Sequence, residues 1–347
     1  MTAPAKFLNP SEAAKRLGVS VKALRLYEQR GLVMPMRTGA GWRVYGPDEM
    51  TRIAEIAALR QLGLSLGDVA RVLEGDATAL GSALATHQAV LEGRLDQLAG
   101  VVEKVRRIRT DLAHGKTPAI GDLALLMKPA SSIGVAFELP WPWGGEPFEL
   151  NEIQPLNYIV GPLGSGKTRL AKRLAETLPD AAFVGLERSA GGAKARALLN
   201  DDPALKSRVD QALDWLVGDG ATESEALITL LVEFEGRGAT ILVIDMVEQG
   251  LDQATQQALI ACLRRRAPDG SALFLLTRSS AVLDLDAVGR HEAIILCPAN
   301  HSAPTLVTPH RGAPGYEAVA TCLASPEVRA RTEGVVAVWR PATAASA

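Results

Sequence analysis

The segment GPLGSGKT, at residues 161–168, restricts the fold of this chain more than any other stretch of its 347 residues. It matches the pattern of glycines followed by Lys-Thr with which proteins surround phosphate groups. The apolar run LNYIV precedes the loop and the run RLAKRLAETL follows it, which predicts a buried strand, a loop and a helix. The sequence therefore predicts an α/β region in the C-terminal part of the chain.

Each residue type in this loop has a chemical use toward phosphate. The glycines allow backbone N–H groups to point at the β- and γ-phosphates of a nucleotide, and Lys167 can place its ammonium group on them. Thr168 can offer its hydroxyl to Mg²⁺, so we expect ATP or ADP with Mg²⁺ as the ligand. The nucleotide-binding candidates in the loop are Gly161, Pro162, Gly164, Ser165, Gly166, Lys167, Thr168 and the following Arg169.

A second segment, TILVIDMVEQGLDQATQQALIACLRRRAPDGSALFLLT at residues 240–277, contains an apolar strand ending in Asp245, a GLD turn, a helix and another strand. In this order the elements resemble the second half of an ABC-type ATPase domain. The resemblance implies that Asp245 joins the nucleotide site and, with Thr168, holds Mg²⁺. It also implies that Asp252 lies at an interface between two nucleotide-binding domains. Thr222 is the second candidate for that interface, because ATESEAL stands where the family has a Ser-Gly-Gly signature.

Several positions depart from the ABC pattern. Met246 stands where the family has the glutamate that polarises the attacking water, and a thioether cannot accept a proton. Arg278 stands where a histidine is expected, and the segment around Thr222 lacks the glycine pair. We therefore predict nucleotide binding with slow or absent hydrolysis. Glu248 is the remaining candidate for a catalytic base, and a solvated carboxylate on the turn is its alternative role.

The segment VAFELPWPWGGEPFEL, at residues 135–150, lies ahead of the phosphate loop. The ABC resemblance implies that it forms antiparallel strands. Trp141 or Trp143 could then stack on an adenine ring, whereas a Pro/Trp-rich loop that covers the core is the alternative.

The N-terminal segment NPSEAAKRLGVSVKALRLYEQRGLV, at residues 9–33, predicts a helix, a tight turn and a second helix. Ser11 and Ser20 are the expected N-caps, because a serine hydroxyl accepts a hydrogen bond from the first helical turn. Residues 1–60 also carry ten Lys or Arg against five Asp or Glu, in a chain of net charge −2. This layout favours a helix-turn-helix whose second helix lies in the major groove of DNA.

The segments GWRVY, DEMTRI and LRQLGLSLGDVARVL complete a resemblance to MerR-family transcription regulators over residues 8–115. The resemblance implies a homodimer that binds a pseudo-palindromic promoter and distorts its spacer so that RNA polymerase can engage. Trp42 is expected to pack the wing, and core packing is the alternative for Tyr27. The candidate DNA-binding residues are Ser20, Lys22, Arg25 and Tyr27 in the recognition helix, and Arg37, Arg43 and Tyr45 in the wing.

Apolar residues recur at seven-residue intervals in SALATHQAVLEGRLDQLAGVVEKVRRIRTDLAHG, at residues 82–115. They are Leu84, Leu91, Leu98, Val105 and Leu112, with Gln88, Leu95, Val102 and Arg109 at the other heptad position. This pattern predicts a coiled coil over 84–112 through which the homodimer forms. A helix that packs on its own domain is the alternative.

The expected fold class is multidomain, with an all-α winged-helix head followed by a coiled-coil helix and an α/β ABC-like P-loop region. The expected domains are a DNA-binding head at 1–78, a dimerisation helix at 79–115, a linker at 116–132 and a nucleotide-binding domain at 133–347. Because no apolar run approaches the ~20 residues that cross a bilayer, we expect a cytoplasmic protein without a membrane partner. Cys262, Cys297 and Cys322 are expected to be buried apolar residues.

Three functions remain open from the sequence. The first is a MerR-type transcription regulator whose P-loop domain binds ATP or ADP as effector and modulates promoter distortion. The second is a small-molecule P-loop kinase or ATPase that is tethered to DNA as an autoregulator. The third is a drug-sensing regulator with a vestigial nucleotide site. The intact GPLGSGKT and the GLD turn favour the first function.

Overall fold

The computed structural model describes residues 7–114, 134–236, 241–266 and 272–324. The expected linker at 116–132 lies outside the described residues, as does the C-terminal end of the expected nucleotide-binding domain. Within the described ranges, no helix combines the length and the apolar character that a membrane span requires.

The N-terminal head consists of four helices and a two-stranded wing. Its helices are α1 (Pro10–Leu17), α2 (Val21–Gln29), α3 (Pro47–Gln61) and α4 (Leu66–Leu73), and its antiparallel wing strands are β1 (Met36–Arg37) and β2 (Arg43–Val44). The helices bury one apolar cluster, in which Leu24, Ile53 and Ile56 are at most 1% exposed. The predicted helix, turn and second helix are therefore confirmed.

The first helix begins two residues earlier than Ser11 predicted. Asn9 is the N-cap: its side-chain oxygen accepts a hydrogen bond from the Glu12 backbone N–H at 3.0 Å, and the Glu12 carboxylate accepts one from the Asn9 N–H at 3.1 Å. Pro10 suits the first helical position because it lacks an N–H and has a helical φ. Ser20 caps α2 as predicted, through a 3.1 Å hydrogen bond from the Ala23 N–H.

The heptad segment forms a single long helix, α5 (Thr78–Ala113). Leu80 and Ala83, in its first turns, pack on the core of the head. The apolar side chains at the heptad positions are between 38% and 65% exposed, so they are not covered by the head or by the α/β region. These side chains are Leu84, Leu91, Leu95, Leu98, Val102, Val105 and Leu112. A continuous apolar stripe of this kind marks a surface that pairs with another helix. The helix is confirmed, and its pairing into a dimer stays a prediction.

The α/β region contains a six-stranded sheet in the order β10-β9-β5-β8-β7-β6, parallel except for β10. Its strands are β5 (Leu156–Val160), β6 (Ala181–Val184), β7 (Ile241–Ile244), β8 (Ala272–Leu276), β9 (Glu292–Leu296) and β10 (Thr305–Leu306). Its helices are α6 (Lys167–Thr177), α7 (Gly192–Asp201), α8 (Pro203–Gly218), α9 (Glu225–Gly236), α10 (Gln253–Arg266) and α11 (Tyr316–Cys322).

The sheet is covered on both faces, which explains why LNYIV and ILVI are continuous apolar runs. Every residue of β5 and β7 is buried. Tyr158 and Val160 contribute to the larger apolar cluster, whereas Ile159, on the opposite face, joins α6 and a hairpin. This hairpin is the predicted antiparallel pair, β3 (Val135–Glu138) and β4 (Pro147–Leu150).

The cysteines follow the prediction in part. Cys262 and Cys297 are buried, while Cys322 is half-buried. Burial raises the pKa of the Cys297 thiol to about 12. We therefore assign Cys262 and Cys297 to core packing.

Replacing two heptad leucines tests the pairing of α5. In Leu91→Glu/Leu98→Glu, two carboxylates would have to lose their hydration in the helix pair, so the protein should become monomeric at micromolar concentration. Light scattering after gel filtration would measure the mass. Leu306→Glu, at an exposed leucine on β10, is the matched control and should leave the mass unchanged. A double variant that keeps the wild-type mass would contradict pairing through this stripe.

Candidate functional site

The phosphate loop connects the end of β5 to the first residue of α6. Two of its glycines have no room for a side chain. A Cβ on Gly161 would lie 2.4 Å from the Cys297 carbonyl oxygen, and one on Gly166, where φ is +90°, would lie 2.5 Å from the Trp143 ring. The loop is therefore held close to its supports with its backbone turned into a cradle.

Lys167 is buried at the first position of α6. Its ammonium group donates hydrogen bonds of 2.7 Å to the carbonyl oxygens of Gly161 and Pro162. Burial lowers the pKa of Lys167 from its ordinary value. The cation thus lies inside the loop, where phosphate oxygens can replace the carbonyls as its partners.

Thr168 and Asp245 meet although they are far apart in the sequence. The Thr168 hydroxyl donates to the Asp245 carboxylate at 2.9 Å, and Asp245 is 4% exposed. Asp245 directly follows β7, and β7 is separated from β5 by β8 alone. A hydroxyl and a carboxylate are oxygen ligands of the kind that Mg²⁺ prefers. The two predicted metal residues are therefore brought together.

Ser165 gives a second indication that the loop fits an anion. Its hydroxyl is buried and has no hydrogen-bond partner among the described residues. A buried hydroxyl without a hydrogen-bond partner destabilises the fold, so a ligand oxygen that accepts a hydrogen bond from it would offset that cost. The exposed Gly164 carbonyl oxygen accepts a hydrogen bond from the His301 Nε2 at 3.0 Å, which connects the loop to the segment after β9.

The two candidate tryptophans have different environments. Trp143 is 4% exposed, donates its indole N–H to the Ser302 carbonyl at 3.0 Å and lies under Gly166. It supports the loop, so its predicted role in stacking is wrong. Trp141 is 70% exposed, and the Arg169 guanidinium lies 4.6 Å from the centre of its ring. Only Trp141 of the pair presents an aromatic face at the surface.

An arginine that the sequence did not reveal holds the turn after β7. Arg188 is 8% exposed and donates to the carbonyl oxygens of Gly185, at 3.0 Å, and of Asp245 and Met246. Met246 has φ of +45°, which is strained for a residue with a side chain. Burial lowers the pKa of Arg188. The guanidinium thus fixes the backbone carbonyls of Asp245 and of the residue that follows it.

Glu248 is not the solvated turn carboxylate that was its alternative role. One of its oxygens accepts a hydrogen bond from the Arg278 backbone N–H at 2.8 Å. Its other oxygen and the Arg278 Nε are buried without hydrogen-bond partners among the described residues. Glu248 therefore binds the segment that follows β8, at the position where the ABC family has its histidine.

Thr222 and Asp252 lie next to each other, both exposed, around Thr255. The Thr222 N–H donates to the Thr255 hydroxyl at 2.8 Å, and Asp252 accepts from the Thr255 N–H at 2.7 Å. Hydrogen bonds lower the pKa of Asp252, and the one from the Thr255 backbone N–H has the largest effect. The two predicted interface residues thus form one surface, open to a partner.

The predicted DNA-binding residues divide into surface and core positions. Arg25 and Arg37 are exposed, Ser20 acts as the cap of α2, and Arg43 pairs with Glu28 at 2.8 Å. Lys22 is also on the outer face of α2, with 46% of its side chain exposed. Trp42 is 74% exposed, so it does not pack the wing as expected.

Tyr27 and Tyr45 belong to the core of the head. They are 6% and 1% exposed, and the Tyr45 hydroxyl donates to the Glu28 carboxylate. Burial raises the pKa of both phenols. We therefore correct the predicted DNA contacts of these tyrosines to packing, with Glu28 as the partner that satisfies the buried Tyr45 hydroxyl.

Comparisons with known proteins match the two regions separately. The model for the MerR HTH family regulatory proteins matches residues 8–76. A probable heavy metal-dependent transcriptional regulator of Haemophilus influenzae is 34% identical over 106 residues, which cover 28% of this chain and 83% of that protein. The nodulation protein NolA of a Bradyrhizobium species is 34% identical over 101 residues, but the aligned part spans 42% of its length.

Among solved structures, an ATP-binding cassette of an ABC transporter in its ADP conformation is similar, with 11% identity and a TM-score of 0.39. That alignment covers 59% of this chain and 99% of the cassette. The architecture of the expected fold class is confirmed: a winged-helix head and a long helix precede an α/β region whose sheet is parallel except for β10. Because it is 34% identical to the Haemophilus influenzae regulator over 83% of that protein, and its residues 8–76 match the family model, the chain belongs to the MerR family of helix-turn-helix regulatory proteins.

Proposed function

We propose that the chain is a DNA-binding transcription regulator whose C-terminal region binds ATP or ADP with Mg²⁺ and thereby modulates the distortion of promoter DNA. One observation carries the proposal. The Thr168 hydroxyl lies 2.9 Å from the Asp245 carboxylate, beside the buried Lys167 ammonium, in the same chain as a MerR-type head. The donor set of a phosphate and metal site is thus linked to a DNA-binding unit.

The residues of the site fit a magnesium nucleotide. Backbone N–H groups of the loop and the Lys167 ammonium would hold the β- and γ-phosphates, with the Ser165 hydroxyl as a further donor. Thr168 and Asp245 would hold Mg²⁺, which neutralises phosphate charge when it is bound. Trp141 is the exposed aromatic side chain available to a base.

The same site favours binding over hydrolysis. Met246 offers no group that can take a proton from water, and the Glu248 carboxylate is hydrogen-bonded to Arg278. Arg188 donates to the carbonyl oxygens of Asp245 and Met246, so a rearrangement of this turn would have to break these hydrogen bonds of a buried guanidinium. Slow or absent turnover suits a sensor. The occupancy of the site then depends on the concentration of free nucleotide rather than on the rate of hydrolysis.

The DNA-binding side of the proposal uses the outer face of the head. Lys22, Arg25 and Arg37 are cationic side chains that can bind phosphates or guanine edges. A homodimer through α5 would present two recognition helices to a pseudo-palindromic promoter, where RNA polymerase is the expected partner. Residues Thr222 and Asp252 would pair the nucleotide-binding regions of that dimer.

Nucleotide can change DNA binding only if it favours one arrangement of the dimer over another. A ligand with unequal affinity for two states shifts their populations, and the coupling acts in both directions. Promoter DNA should therefore change the affinity for nucleotide by the same factor by which nucleotide changes the affinity for DNA.

Calorimetry with Mg-ATP and Mg-ADP tests the site directly. Lys167→Ala should weaken binding at least tenfold, since hydrogen bonds to charged groups contribute about 1.5–3 kcal/mol each. Lys172→Ala removes an exposed lysine from the same helix and is the matched control. Wild-type binding to promoter DNA should differ between ATP, ADP and no nucleotide, and these differences should vanish in Lys167→Ala. Equal DNA affinity in all three states would refute the effector role.

The substitution Met246→Glu tests why turnover is slow. A carboxylate at this position can accept a proton from water, so steady-state ATP hydrolysis should rise by at least about a hundredfold if the site still closes, in line with the usual contribution of a general base. Met246→Gln has the same shape and the same φ constraint without the basicity, and it should stay at the wild-type rate. Equal rates in both variants would mean that the absent glycine signature limits hydrolysis instead.

A further inference from the structure

The head and the α/β region meet at a buried carboxylate. Asp219 directly follows α8, and its side chain is 1% exposed. It accepts two hydrogen bonds from the Arg60 guanidinium and one of 2.8 Å from the Leu66 backbone N–H, both on the head. The Asp219 carbonyl accepts a further hydrogen bond of 3.3 Å from Arg30, at the end of α2. A carboxylate buried in this way is specific for its partner, because either charge alone would be costly to desolvate.

An aromatic side chain next to Asp219 completes this contact. The Trp215 indole N–H donates to the Gly63 carbonyl of the head at 3.0 Å. Two guanidinium groups lie over its ring, that of Arg60 at 5.3 Å and that of Arg265 at 5.1 Å from the ring centre. One arginine comes from each region, so the stack joins them through cation–π contacts.

The two backbones approach closely beside these side chains. A Cβ on Gly67 would lie 3.1 Å from the Gly218 carbonyl oxygen, and a Cβ on Gly218 would lie 2.8 Å from the Ser65 hydroxyl. Both glycines lie at helix ends, Gly67 near the start of α4 and Gly218 at the end of α8. The contact is therefore shaped for direct packing of the two regions.

A second contact joins the α/β region to the recognition helix α2. The Lys22 ammonium donates to the Ser280 carbonyl at 2.9 Å and lies 3.4 Å from the Asp284 carboxylate. Ser280 and Asp284 belong to the segment that follows β8. Lys22 is one turn from Arg25 on α2, so this segment covers the end of the face that is predicted to enter the major groove.

We propose that the α/β region docks on the head of its own chain through this pair of contacts, here called the latch, and competes with DNA for the recognition helix. The latch consists of Trp215, Asp219, Ser280 and Asp284 on one side and Lys22, Arg60 and Gly63 on the other. Both DNA and Asp284 are anionic partners for Lys22, and they cannot occupy its ammonium group at the same time. The latched state is the one with low affinity for DNA.

The latch is joined to both segments of the proposed nucleotide site. Ser280 is two residues beyond Arg278, whose N–H binds Glu248, and the Ser279 hydroxyl between them donates to Gln256 at 2.6 Å. Asp219 is three residues before Thr222. A change around Arg278 or Thr222 on nucleotide binding would therefore move the latch directly, and this regulation rests on the proposed function.

A disulfide across the latch tests the docking in the full-length protein. In Ser65→Cys/Gly218→Cys the two Cβ atoms would lie 3.3 Å apart, close to the about 3.5–4.5 Å of natural disulfides. The probe is a duplex that the full-length wild-type protein selects from a random-sequence library. Oxidation should lower the affinity for this duplex at least about tenfold, because locking removes the competent state, and dithiothreitol should restore it.

The Ser65 hydroxyl caps α4 by accepting a hydrogen bond from the Asp68 N–H at 3.1 Å. The two single-cysteine variants, treated with the same oxidant, control for the native thiols and for the loss of this cap. Their DNA affinity should not respond to oxidation. The docking proposal is overturned if the oxidised double variant binds DNA as tightly as the reduced one, if its two cysteines stay reactive toward a thiol label after oxidation, or if non-reducing gels show the bridge between two chains.

A pair of charge-matched variants tests the same competition without a crosslink. Asp284→Asn weakens the ion pair with Lys22, whereas Asp286→Asn makes the same change of charge two residues away, at an exposed position outside the latch. Asp284→Asn should bind the duplex more tightly than Asp286→Asn by about two- to tenfold, as expected for a modest population shift. Equal affinities would show that Lys22 is not the contested group.

Repeating the crosslinking experiment with Mg-ATP distinguishes failure of the latch from failure of the proposed function. Mg-ATP should change the rate at which the double variant crosslinks, and Lys167→Ala in the same background should abolish that change. If calorimetry shows that ATP does not bind, the proposed function fails while the redox dependence of DNA affinity still tests the latch. If ATP binds but leaves the crosslinking rate unchanged, the regulation of the latch by nucleotide is refuted.

Discussion

The parallel sheet is the constraint on which the rest of the α/β region depends. Parallel strands end at the same edge, so the segments that follow β5, β7 and β8 come together although they are distant in the sequence. This arrangement brings Thr168 to Asp245 and Glu248 to Arg278. The same arrangement extends the segment after β8 outward to Lys22. One edge of the sheet therefore holds the proposed nucleotide site and one half of the contact with the head.

The chemistry of this edge separates phosphate binding from catalysis. The groups that would hold phosphate and metal lie together around the loop, whereas Met246 occupies the position where the ABC pattern has a base. The difference from the ABC pattern extends beyond Met246, because the Arg188 guanidinium fixes the carbonyls of Asp245 and Met246 in one arrangement. Arg188 thus fixes the backbone next to the carboxylate that would hold Mg²⁺. At the position where the ABC pattern has its glutamate, the Met246 thioether cannot accept a proton from water.

Local patterns were enough to predict the elements that depend on nearby residues. The strand, loop and helix around GPLGSGKT, the paired helices of the head and the long helix α5 follow from spacing alone, and the structure confirms them. Ser11 failed as a cap because Asn9 and Pro10 make a better first turn. Tyr45 failed as a DNA contact because a phenol that binds phosphate and one that binds buried Glu28 look the same in a sequence.

The residues that sequence reasoning missed act across long separations. Arg188 reaches a neighbouring strand end, and Asp219 binds Arg60 from a position 159 residues away. Nothing in GLERS or LVGDGAT marks either residue, since an arginine or aspartate in a polar segment is usually solvated. Their roles depend on which surfaces meet, and that depends on the packing of complete regions. Such contacts are visible only after the fold is known.

The cost of burying the Asp219 carboxylate explains how the contact between the head and the α/β region could open although it contains many polar groups. Burial raises the pKa of this carboxyl even though Arg60 pairs with it, so the loss of hydration outweighs the attraction between the charges. A buried ion pair of this kind gives a specific geometry with little net stabilisation. The two states of the head can then lie within a few kcal/mol of each other, and about 1.4 kcal/mol of differential ligand affinity changes their ratio tenfold. The proposed nucleotide site, connected to the latch through Arg278 and Thr222, would need only that modest difference in affinity to shift the position of the head.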